Sequence, residues 1–209
     1  MTGRSYAAVE LYTHALERIV EAGYAAEIEW QRSRDPDTLT ETDFLREVAW
    51  VILCSGFSEA TVRRKFPHLS LCFCDWLSAG EIASTAQLCR RTAMECFANA
   101  RKVDAIVSAA LIVSLSGFES VRASLARDAI GTLQRFDQLG GVTAYHAAKN
   151  LGYQVVKPDR HLVRLADRLG FNNPASLCGA ISSATGASLN TVDIVLWRYC
   201  ALGFERHAH

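Results

Sequence analysis

Two short stretches carry residue types that could do chemistry. The first is Leu139-Gly140-Gly141-Val142-Thr143, a glycine-bearing hairpin between two helical patterns. Such a hairpin leaves backbone N–H groups free at the start of its second helix. Together with the positive end of the helix dipole, they suit a phosphate. Paired glycines also let another backbone approach closely. The second stretch is Val156-Lys157-Pro158-Asp159-Arg160-His161, with Asp159 standing 17 residues after Val142. It places an acid in the first turn of a new helix, directly after an extended link. Alone, the hairpin also reads as an ordinary helix–helix turn and the acid as an N-cap. Together they are far more specific than either one.

The elements that must position these residues are helices. Residues 133–170 give a helix, the hairpin, a second helix from about Thr143 to Asn150, and an extended Tyr153–Lys157 link. A third helix, opened by Pro158 or Asp159, ends at Leu169-Gly170. Upstream, Leu11, Ala15, Ile19 and Ala22 recur at helical spacing, and Pro36 marks a polar break. Thr42 or Asp43 can cap a helix from Phe44 to Cys54, and Ser58 a short one that stops before Pro67. The apolar run Val103–Leu115 predicts a helix buried in the core. Pro174 starts another helix, and Leu189–Leu202 forms the last. No β-type alternation is sustained, and the predicted fold class is all-α.

Half of the residues are apolar and about a fifth charged, an ordinary globular composition. No apolar run reaches the roughly 18 residues of a membrane span, so no membrane partner is expected. The amino terminus reads as an amphipathic helix without a signal core. Seven cysteines, an odd number without a disulfide framework, suit a reducing cytoplasm. Net charge is zero, but residues 51–209 hold 17 basic and 12 acidic residues. That excess is compatible with a phosphate-binding face or with a solvated helical surface.

The hairpin followed by Pro158-Asp159-Arg160-His161 resembles the core signature of the helix-hairpin-helix DNA glycosylase superfamily. That superfamily includes endonuclease III and the alkyladenine glycosylases. Its hairpin reads Leu-Pro-Gly-Val-Gly, and a Val-Asp-x-His sequence follows the second helix. About 40 residues carry the likeness strongly. The helices from Phe44 to Val121, with Asn99-Ala-Arg-Lys102 before an apolar helix, resemble the family's bundle more loosely. Gly140 and Thr143 stand where the family has proline and the last glycine. Thr143 can still cap the helix. The link to Asp159 is a few residues shorter than in endonuclease III.

The resemblance implies a two-lobed all-α fold with the active cleft between the lobes. Residues 42–135 would form a central helical bundle. Residues 1–41 with 136–209 would form a second lobe carrying the hairpin and the catalytic aspartate. It implies a monofunctional glycosylase that flips a damaged or modified base out of double-stranded DNA and excises it, leaving an abasic site. Asp159 would be the carboxylate that stabilises the oxocarbenium-like sugar or helps water add to it, with Arg160 and His161 as positive neighbours. Gly140, Gly141, Thr143, Lys149, Lys157 and Arg160 are candidates for DNA contact. Tyr145 occupies the position of the family's Schiff-base lysine, so strong lyase activity is not expected. Tyr145 and His161 could line the base pocket or serve as packing, and Phe57 is a candidate wedge.

Two other readings stay open. One is a non-catalytic DNA-binding protein with the same fold; the other is a defence glycosylase acting on modified bases of foreign DNA. The protein is expected to be a monomer. No cofactor and no metal are expected. The four-cysteine iron–sulfur motif of endonuclease III is missing, and Cys72-Phe-Cys74 with Cys89 and Cys96 lacks zinc-finger spacing. Arg206-His-Ala-His209 reads as a tail rather than a metal site.

Overall fold

The structure is a computed structural model that describes residues 3–206. His207 and His209, read above as part of a tail, lie outside the described residues. Among the described residues there are thirteen α-helices and three short 3-10 helices, and no strand. The all-α expectation holds. Most helices start where a short polar side chain can take up an orphan N–H: Thr40, Ser58, Ser78, Asn99, Asp128, Asp159, Asn173 and Ser188 each accept from a backbone N–H of the following turn.

The chain divides into two compact units, Asp35–Leu151 and Met1–Arg34 with Gly152–His209. In the first, α3 (Glu41–Cys54) and α5 (Ala79–Ser84) pack on α7 (Ala100–Ser116), and α4 (Glu59–Cys72) packs on α6 (Ala86–Cys96). Phe44, Ile52, Leu69, Phe73, Trp76 and Ile82 fill the centre. Then come α8 (Phe118–Arg127), α9 (Ala129–Leu133) and α10 (Thr143–Asn150), with α10 lying against α3 and α9. Asn150 fixes that packing by donating to Glu47 at 3.1 Å. Residues 136–151 therefore belong with the bundle, and the division falls at 151/152 instead of 135/136.

Three helical expectations change. Thr40, not Thr42 or Asp43, caps α3, its Oγ1 accepting from the Asp43 N–H at 3.1 Å. α4 does not stop at Pro67 but runs through it to Cys72. Proline removes one N–H at an exposed position, while the buried Leu69 and Phe73 beyond it hold the chain helical. α7 is buried along one face only, with Leu115 86% exposed.

The second unit joins α1 (Gly3–Glu21) and α2 (Ala25–Arg32) to α11 (Arg160–Arg168), α12 (Pro174–Thr185) and α13 (Leu189–Ala201). The break between α1 and α2 falls at Gly23, whose φ of 88° few other residues adopt. Tyr12, Ile19, Leu162, Leu177, Val195 and Tyr199 form part of one buried cluster. The Asp159 helix rests on α12 and α13, and α1 packs on those same two helices.

Candidate functional site

The hairpin lies in the Asp35–Leu151 unit. Gln138 turns the chain with a left-handed φ of 68°, and the Arg101 guanidinium of α7 donates to its side-chain oxygen, Nε at 2.8 Å. Thr143 was expected to cap α10, but Val142 holds the N-cap position and no side chain caps this helix. As the first helical residue, Thr143 turns its hydroxyl back into the loop. Its Oγ1 accepts from the Gly140 N–H at 2.7 Å and donates to the Gln138 carbonyl at 3.1 Å. Gly140 and Gly141 are exposed, neither has a left-handed φ, and a Cβ on either would meet nothing within 4 Å. The fold itself makes no demand for glycine there. Their small size leaves the backbone open to an outside group, beside an exposed Val142.

Asp159 lies in the other unit, at the end of a link clamped by α13. Asn190 donates to the Gly152 carbonyl at 3.2 Å and accepts from the Val155 N–H at 3.3 Å. The fully buried Asp193 accepts from the Lys157 N–H at 2.7 Å. Asp159 then opens α11, with Oδ1 accepting from the N–H groups of His161 and Leu162 at 2.9 and 3.1 Å. Both cap bonds fall on one oxygen. Oδ2 faces the Lys157 ammonium at 3.9 Å, and the Lys157 Nζ lies 5.8 Å from the centre of the Trp197 ring. Lys157, rather than Arg160 or the His161 ring, is thus the cation beside Asp159. Arg160 is exposed, and His161 contributes its backbone N–H. Nearby Cys200 is buried. Burial, followed by a hydrogen bond to Glu205 and that residue's charge, pushes its thiol up to about 12, and Asp159 adds to the rise.

The remaining candidates are scattered. Tyr145 is half-buried on α10, and Lys149 is buried at 3% exposure, which is no place for a surface phosphate contact. Phe57 is 41% exposed, its ring 4.9 Å from that of Phe97. Behind it the buried Lys102 donates to the Ile52 carbonyl, with Nζ 5.7 Å from the Phe57 ring centre. Burial pushes the Lys102 ammonium down from its ordinary value, and the charge of Arg101 adds to this.

Sequence reasoning missed the clamp of Asn190 and Asp193. Its signal is there: two strongly polar residues on an otherwise apolar helix, Leu-Asn-Thr-Val-Asp-Ile-Val-Leu, need buried partners. It also missed a cluster in the bundle, where His68, Cys72 and Cys96 converge. Ending α4 at Pro67 hid the relation between His68 and Cys72. Among the described residues, no single helix is long and apolar enough to cross a membrane. Compared with protein-family models, curated proteins and solved structures, the chain matches none of them.

Proposed function

We propose that the chain is a monofunctional DNA glycosylase that extrudes a damaged or modified base from duplex DNA and hydrolyses its N-glycosidic bond. The observation that carries the reading is Asp159. Its Oδ1 alone takes both cap bonds, leaving Oδ2 beside Lys157 on a side chain 11% exposed. A carboxylate so fixed costs no reorganisation when positive charge develops on a nearby sugar. The open glycine backbone of the hairpin supports the second half of the proposal, a phosphate held at the uncapped start of α10. The two-lobed glycosylase arrangement belongs to this reading.

In the reaction, unstacking costs a few kcal/mol. The departing base carries away the bonding electron pair, and the sugar gains oxocarbenium character opposite Asp159. Water then adds at the anomeric carbon, its proton passing to the carboxylate or to solvent. Tyr145 offers no amine for an imine. The test is a panel of duplexes, each with one modified base. The protein should release a base from at least one and leave an abasic site that breaks only after alkali or heat. Borohydride should trap little protein on DNA. Strong trapping would contradict the monofunctional assignment and direct attention to Lys157. No base release, with DNA bound, would leave a binding protein.

A further inference from the structure

Because α4 continues through Pro67, His68 and Cys72 stand four residues apart on one helix face. α6 packs against α4 and brings Cys96 to them. One imidazole nitrogen and the two sulfurs all lie within 4.8 Å of one another. The Cys72 and Cys96 sulfurs are 3.8 Å apart. Tetrahedral zinc bound at about 2.3 Å places two thiolates roughly 3.8 Å apart, so one edge of that tetrahedron is already set. A disulfide would need the sulfurs to close to about 2.05 Å. The Lys65 ammonium donates to the Cys96 carbonyl at 2.7 Å and ties the end of α6 to α4.

All three side chains line a cavity of about 730 Å³, with His68 exposed and both cysteines half-buried. An ion could enter, and a fourth position would face the cavity. We propose that His68, Cys72 and Cys96 bind one zinc-class divalent ion, with the fourth position open. Two thiolates and an imidazole are borderline-to-soft donors that favour zinc over magnesium or calcium. Binding replaces the two thiol protons, which pass to the buffer. Cys74 and Cys89 line the same cavity but stand outside this triad, the Cys89 sulfur pairing with the Thr85 hydroxyl at 3.4 Å.

The test uses the full chain, freed of metal and kept reduced by a phosphine, and titrated with Co(II) and then Zn(II). One equivalent of cobalt should bind with thiolate-to-cobalt charge transfer and tetrahedral visible bands, and zinc should displace it. Outer-shell changes already cost 10–100-fold in metal affinity, so losing a ligand in Cys72→Ser or Cys96→Ser should cost at least about 100-fold. His68→Asn alters an exposed side chain, leaves the fold intact and should weaken zinc at least about 10-fold. Cys74→Ser and Asp159→Asn should leave affinity unchanged, so this test and that of the glycosylase reading fail separately. Absence of the charge-transfer band, unchanged affinity in His68→Asn, or an equal loss in Cys74→Ser would overturn the proposal.

Discussion

At Asp159, the positioning groups are mostly neighbours in the chain: the N–H groups two and three residues ahead and the ammonium two residues behind. At the thiol cavity, His68 and Cys72 share a helix, but Cys96 comes from 24 residues away through the packing of α6 on α4. The first arrangement survives as long as one helix start and one link hold. The second exists only when two helices are docked. Local chain geometry suits an acid that must not move. Convergence across helices suits a site that can exist only in the folded bundle.

Stability in alkali should show the largest effect on the Asp159 side. The unfolded Cys200 thiol loses its proton near 9.0, the folded one only near 12. The stabilisation is therefore complete below pH 9 and is lost as pH rises through 12, amounting to about 4 kcal/mol at most. Denaturant unfolding of Cys200→Ala should show a shallower loss between pH 8 and 11 than wild type. An equal slope would mean that the thiol is not sealed.

A smaller effect separates the cap from the charge. Asp159→Ala should cost about 0.5–2 kcal/mol of stability, whereas Asp159→Asn, whose oxygen can still accept at the cap, should stay within a few tenths. Equal losses would mean that the side chain does not cap α11. A change of about the same size as that of Asp159→Ala is expected at the hairpin. Thr143→Val removes the hydroxyl that binds Gly140 and Gln138 and should cost about 1 kcal/mol. Its DNA affinity should fall more than that of Asp159→Asn, because it loosens the loop proposed to hold phosphate. Unchanged affinity would count against a phosphate role for the hairpin.

What could be read from the sequence follows the same contrast. The helices from Thr143, Pro174 and Leu189 were legible because each begins on a local signal. So was the Asp159 cap, written within four residues. Lys157 as the neighbour of Asp159 was not, because Asp193 of α13 holds the Lys157 backbone N–H and the ammonium lies near Trp197 of the same helix. α4 was cut short because proline is a strong local stop, and only the burial of Leu69 and Phe73 reverses it. With α4 cut short, the metal-ligand spacing of His68 and Cys72 went unseen, and Cys96 carried no local sign of its partners. The placement of residues 136–151 follows from α10 packing on α3 and α9, with Asn150 meeting Glu47 103 positions away, which no local pattern announces.

The role proposed for Asp159, stabilising the sugar as the glycosidic bond breaks, is checked by single-turnover base release. Wild type and Asp159→Asn should be compared on the best substrate of the modified-base panel, with melting and DNA affinity measured on the same preparations. Asn keeps the cap but loses the charge. The expected result is unchanged melting and binding with base release slowed about 100-fold or more, a loss of roughly 2.7 kcal/mol or more in the barrier. Full-rate base release by Asp159→Asn would contradict the assignment.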